Sequence, residues 1–270
     1  MKLLKKLALG LTLSTLVFGT VGCGQKSAET ETIKVGVVGE NNYSWNYVKE
    51  ELAKEKINIE IISFDDYNQP NAALDAGEID LNAFQHQIFL DNYNKAKGTN
   101  LVSIAETVIA PLGIYSEKIT DIKDLKDGAI VAIPDDVTNG GRSLRLLQTA
   151  GLINVKKEAG LTPKIEDITE NPKKLQIKEL AADQTARSLK DVDISIINSG
   201  LAVDAGLLPT KDSIFLEPID ASSKPYNNII VSRDEDKDKE IFKKIIKTYQ
   251  SDGDKKVIEE KSKGSSIPVW

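Results

Sequence analysis

Cysteine occurs once in this 270-residue chain, at Cys23, and histidine once, at His86. With one thiol the chain has no internal disulfide, so its stability must come from an apolar core. Zinc sites use several nitrogen or sulfur ligands, so one histidine and one cysteine give no expected metal or cofactor. A phosphate loop of the Gly-x-x-x-x-Gly-Lys type is missing, and so is a Gly-x-Ser-x-Gly nucleophile elbow. No repeat of short fixed period is present. The one uncharged apolar run, Leu7 to Val21, falls short of the roughly 20 residues that span a bilayer as a helix.

What is present begins with that run. Lys2, Lys5 and Lys6 precede it, and Thr20-Val21-Gly22 bring small or modest side chains up to Cys23. This is the layout of an export signal over residues 1–22. A cysteine directly after it, followed by a polar stretch, predicts a bacterial lipoprotein whose thiol carries diacylglycerol. Residues 23–32 then read as a lipidated, flexible tether. Without residues 1–22 the chain carries 32 basic and 41 acidic residues, a net charge of −9. That balance argues against nucleic acid and against a polybasic membrane patch. The expected product is a soluble domain, monomeric, tethered to the extracytoplasmic face of a cell membrane.

The tethered portion, about 240 residues, suffices for one large domain or two lobes. Ile33–Val38 and Ile57–Phe64 read as strands, Tyr47–Glu55 as an amphipathic helix between them. Asn71–Gly77 reads as a short helix and Ile79–Ala83 as a third strand. A second set follows: strand Ala129–Ile133, helix Thr138–Ala150, the run Ile165–Ile168, a helical stretch Ala181–Leu189 and strand Ile194–Ile197. Such alternation indicates an α/β fold with mostly parallel sheets. Ala110–Ser116 and Pro225–Ser232 read as proline-opened strands that cross between the sets. Residues 33–115 and 225–270 are thus assigned to lobe 1 and 116–224 to lobe 2, with Lys237–Glu260 packing helically on lobe 1. Two lobes joined by two crossings form a ligand cleft.

Local chemistry points to that cleft. In Ile133–Arg142 a strand ends in a turn rich in Asp, Asn and Gly, and a helix begins that carries Arg142 in its first turns. A helix N-terminus favours an anion, and arginine grips a carboxylate with two parallel hydrogen bonds. Phe84 and His86 lie at a strand exit, where α/β sheets bind ligands; each equally suits a structural role. Asn198, Asn227 and Asn228 offer donors and acceptors suited to a zwitterion, and equally suit turns. Tyr67 sits at another strand exit.

The segments Asp75–His86, Ile133–Arg142 and Pro225–Arg233 together resemble the NlpA-type methionine-binding lipoproteins, substrate-binding components of bacterial methionine ABC importers. The resemblance runs from Ile33 to Trp270. It implies a two-lobed periplasmic-binding-protein fold of type II that closes on a free amino acid, binds without enzymatic turnover, and delivers it to a permease driven by an ATPase. By motif position, Arg142 would pair with the ligand carboxylate and Asn139 would support its turn. Asn198 and Asn228 would bond the amino and carboxylate ends. Tyr67, Phe84 and His86 would wall the side-chain pocket, with Phe89 where the family usually has Tyr. The run Ile197-Asn-Ser-Gly-Leu-Ala202 departs from the family: Gly200 and Leu201 replace a polar and an aromatic residue. Methionine (L or D) is therefore the expected ligand, with a methionine-containing dipeptide or another apolar amino acid as alternatives. A surface lipoprotein without a transport role is a further alternative.

Overall fold

The computed structural model describes residues 30–270. Cys23, the export segment 1–22 and most of the 23–32 tether lie outside the described residues.

In chain order the first lobe is built from β1 (Glu31–Val38), α1 (Tyr43–Ala53), β2 (Ile57–Phe64), α2 (Gln69–Asp75), β3 (Leu81–His86), α3 (Gln87–Lys97) and β4 (Leu101–Glu106). The chain leaves through β5 (Val108–Ile109). The second lobe follows with β6 (Gly113–Tyr115), β7 (Ile130–Pro134), α4 (Val137–Thr149), β8 (Asn154–Val155), β9 (Ile168–Glu170) and β10 (Gln176–Leu180). It is completed by β11 (Ile194–Ile197), α5 (Ser199–Asp204), α6 (Pro209–Asp212) and β12 (Phe215–Leu216). The return to lobe 1 brings β13 (Asn228–Arg233), α7 (Glu240–Tyr249), α8 (Asp252–Ser262) and β14 (Ile267–Pro268).

The sheets have orders β2-β1-β3-β13-β4 and β10-β7-β11-β6-β12. In each, the fourth strand runs antiparallel to its neighbours and is the one supplied by a crossing: β13 on the way back, β6 on the way out. Both crossings are therefore anchored in a sheet at one end, which is the layout of a hinge between two rigid bodies. The first sheet buries Val35, Val37, Ile59 and Leu81 against Trp45, Val48, Phe242 and Ile245 of α1 and α7. Its other face covers Leu74, Leu90 and Val231. The second sheet buries Val131, Ile133, Ile194 and Ile196 against Leu144 and Leu147 of α4. These near-continuous apolar strands reflect burial on both faces, as parallel sheets require.

Several expectations shift. Gly113–Tyr115 pairs within the second sheet, so the first lobe's strands end before residue 113 rather than at 115. Pro225 does not open a strand: residues 221–226 form a 3₁₀ segment, and β13 begins at Asn228. Residues 181–189 are two short 3₁₀ turns rather than one helix. Ile165–Asp167 is likewise 3₁₀, leading into β9. The C-terminal region does pack on lobe 1, where Trp45, Tyr249 and Trp270 stack in series at 5.2 and 5.7 Å between ring centres.

Candidate ligand cavity between the lobes

The eight residues given a role by the resemblance line one cavity of about 170 Å³ between the lobes, and Asn227 does not: Tyr67, Phe84, His86 and Phe89 with Asn228 from lobe 1, and Asn139, Arg142 and Asn198 from lobe 2. The sequence positions them by different means. Phe84 and His86 end β3, which is pinned by a buried amide network. Asn71 donates to Gln85 (2.8 Å), Asn82 donates to Asn71 (2.9 Å), and Gln85 donates to Asn71 (2.6 Å) and Asn82 (2.9 Å). A fully satisfied buried network is rigid, so the strand exit holds one geometry. Tyr67, Phe84 and Phe89 then form a box with ring centres 5.7–6.2 Å apart.

On the facing lobe Asp136 caps α4. Its carboxylate accepts from the Thr138 and Asn139 backbone amides (3.1 and 2.9 Å) and from Asn139 Nδ2 (2.9 Å). Asn139 Oδ1 in turn accepts from Asn198 Nδ2 at 2.8 Å. This chain of donors fixes both amides, so Asn198 Oδ1 stands as a buried acceptor with no partner among the described residues. His86 is the counterpart. Its Nδ1 accepts from the Phe89 amide at 3.2 Å, which puts the proton on Nε2; with the Asn139 side chain nearby, that buried donor still has no partner within hydrogen-bond geometry among the described residues. Burial, and then the positive Arg142, pull the His86 pKa down to about 3, so the ring is neutral.

Arg142 is held on three sides. Glu217 accepts from Nε (3.0 Å) and Nη2 (2.5 Å), the Ala110 carbonyl accepts from Nη2 (3.1 Å), and the Tyr226 ring lies 4.3 Å beneath the guanidinium. Tyr226 also packs edge-on against His86, 5.5 Å between ring centres. Arg142 is 3 % exposed, and a buried cation persists only with such partners. Nη1 is engaged by no hydrogen bond among the described residues, and Arg142 lines the cavity. Glu217 and Tyr226 were not visible in the sequence reading. Glu217 follows a two-residue strand, and its tie to the crossing (Leu112 N–H, 2.9 Å) exists only in three dimensions. Tyr226 stood inside a recognised motif but read as part of a strand. Ala110, Ser199, Gly200, Leu201 and Ser266 are among the other lining residues.

The site thus pairs donors from Arg142 and His86 with an acceptor from Asn198 beside an aromatic box, in a fold of two lobes hinged by two crossings. The family model described as NlpA lipoprotein matches residues 33–270. The chain belongs to this family. The D-methionine-binding lipoprotein MetQ of Salmonella typhimurium is 43% identical over 267 residues, covering 97% of each chain. A nutrient binding protein from Burkholderia cenocepacia, solved bound to methionine, has a TM-score of 0.84 at 46% identity, over 88% of this chain and 100% of that one. Protein PG110 from Staphylococcus aureus has a TM-score of 0.86 at 49% identity, covering 88% and 94%. In this NlpA-family chain Gly200 also lines the cavity, and an added Cβ there would meet nothing within 4 Å.

Proposed function

We propose that this chain is a lipid-anchored substrate-binding protein that captures methionine outside the cytoplasmic membrane and hands it to an ABC permease and its ATPase. The observation that carries the reading is the pair of buried, unpartnered polar atoms, His86 Nε2–H and Asn198 Oδ1, beside Arg142. A buried polar atom without a partner costs about 1–3 kcal/mol. An α-amino acid relieves both at once: its carboxylate takes donors from Arg142 and His86, and its ammonium donates to Asn198. A thioether is unbranched and polarizable, which suits the box of Tyr67, Phe84 and Phe89. Asn228, in register with His86 on β13, is placed to bond the zwitterion from the opposite strand. The ligand leaves unchanged, and the protein acts as a monomer held by lipid on Cys23.

Open space at Gly200 favours one alternative, a related ligand extended beyond the amino acid, such as a methionine-containing dipeptide. Calorimetric titration of the ligand-stripped protein with L-methionine, D-methionine and glycyl-methionine separates the two. One-to-one binding of free methionine, tighter than the dipeptide, supports the main reading. Tight dipeptide binding without methionine binding replaces the ligand and keeps the transport role. Binding of none of the three overturns the proposal.

A further inference from the structure

Helix α5 touches two things at once. Its cap Asn198 and its residues Ser199, Gly200 and Leu201 line the cavity. Its last residue, Asp204, reaches across the cleft to lobe 1, where its carboxylate accepts from Asn41 Nδ2 at 2.5 Å and from the Glu40 amide at 3.4 Å. The receiving loop is held by lobe 1 itself. The Gly39 amide donates to the Phe64 carbonyl (3.2 Å), and the Gly39 carbonyl accepts from Asn42 Nδ2 (3.1 Å) and from the Ser63 hydroxyl. Gly39 has φ +83°, and a Cβ there would strike Asp204 Oδ2. Glycine is therefore required both by the turn and by the approach of the other lobe. Ligand contact and lobe contact sit at opposite ends of one helix of six residues, too short to bend between them. Anything that fixes its first turn also fixes Asp204.

We infer that Asp204 and the Gly39–Asn41 loop form a closing latch, and that α5 is the strut by which an occupied cavity engages it. Asp204 is a positioning residue: it determines how long ligand is held without touching it. The inference rests on the ligand-capture reading above. A contact that holds the two lobes together without lining the cavity acts on release rather than on entry, so its loss accelerates release and leaves entry unchanged.

The test is stopped-flow binding of L-methionine to wild type, Asp204→Ala, Asn41→Ala, the double variant and Asp204→Asn. It is combined with hydrogen–deuterium exchange of the segments 39–45 and 199–205 without ligand. The expected result is a release rate raised about tenfold in each alanine variant, with the entry rate unchanged. The double variant should be no worse than either single one, since both remove one interaction. Asp204→Asn keeps the accepting oxygen and should stay near wild type, which a general loss of folding would not produce. Faster exchange of residues 39–45 in Asp204→Ala is expected as well. Unchanged release rates together with unchanged exchange overturn the latch. Should wild type bind no methionine, the ligand reading fails separately, and the exchange comparison alone decides the latch.

Discussion

At the scale of single residues the cavity divides into groups that meet the ligand and groups that hold them. Arg142→Ala removes the only guanidinium among the described residues that line the cavity and leaves the half-buried Glu217 without its charged partner. Methionine binding should weaken by at least about 2–4 kcal/mol. Calorimetry checks this, and an affinity within about threefold of wild type would rule out the role. His86 gives a prediction of constancy. Its pKa of about 3 keeps the ring neutral from pH 5 to 8, so the Nε2–H donor never changes. The methionine dissociation constant should therefore stay flat across that range, and titration at pH 5, 6.5 and 8 reads it directly. Asn139 and Phe89 took their roles from the family resemblance, and Asn228 opens a strand. Tyr67, Phe84, His86, Arg142 and Asn198 could be singled out from sequence because they sit at strand exits or near a helix start. Glu217, which orients Arg142, sits at neither.

At the scale of elements, legibility followed burial. β7 and β11 are buried along almost their whole length and announced themselves as β-branched runs, and β2, at a sheet edge, announced itself by alternation. β10 did not: Gln176-Ile-Lys-Glu-Leu180 is an edge strand with no fully buried residue, so its apolar pattern is thin. α3 was missed because Ile88, Phe89 and Leu90 are consecutive and only Leu90 is buried, which leaves no helical stripe. Its ends carry the information instead, with His86 as N-cap and Gly98 in the left-handed conformation as C-cap. α4 was legible from both ends and shows how a cap serves function. Asp136 both satisfies the first turn and orients Asn139, which orients Asn198. Asp136→Ala should cost about 1 kcal/mol of stability through the cap. It should also weaken methionine binding about fivefold through the loosened amides. Urea unfolding and calorimetry measure the two separately. A stability loss with unchanged affinity would mean that Asn198 holds its orientation without the relay.

At the scale of the whole molecule, two buried titratable groups pull stability in opposite directions with pH. His86 has a folded pKa of about 3, below its unfolded value near 6.5. The unfolded chain takes up this proton first, so stability falls as pH drops from 6.5 toward 3. Asp254, in the first turn of α8, is fully buried, and neither carboxylate oxygen has a partner within hydrogen-bond geometry among the described residues. Burial pushes its pKa up to about 7, and the neighbouring Ser44 hydroxyl offsets this only in part. Here the folded chain takes up the proton first, from pH 7 down to about 3.9, so acidification stabilises. Above pH 7 the ionised carboxylate is paid for by the fold of lobe 1, where α8 packs on α1. The penalty is on the order of 4 kcal/mol at pH 8. Asp254→Asn removes the charge and keeps the shape. The variant should gain roughly 2–4 kcal/mol over wild type at pH 8 and lose most of that advantage at pH 5, where Asp254 is already protonated. Urea unfolding at the two pH values measures this. An equal difference at both would mean that Asp254 does not titrate in this range.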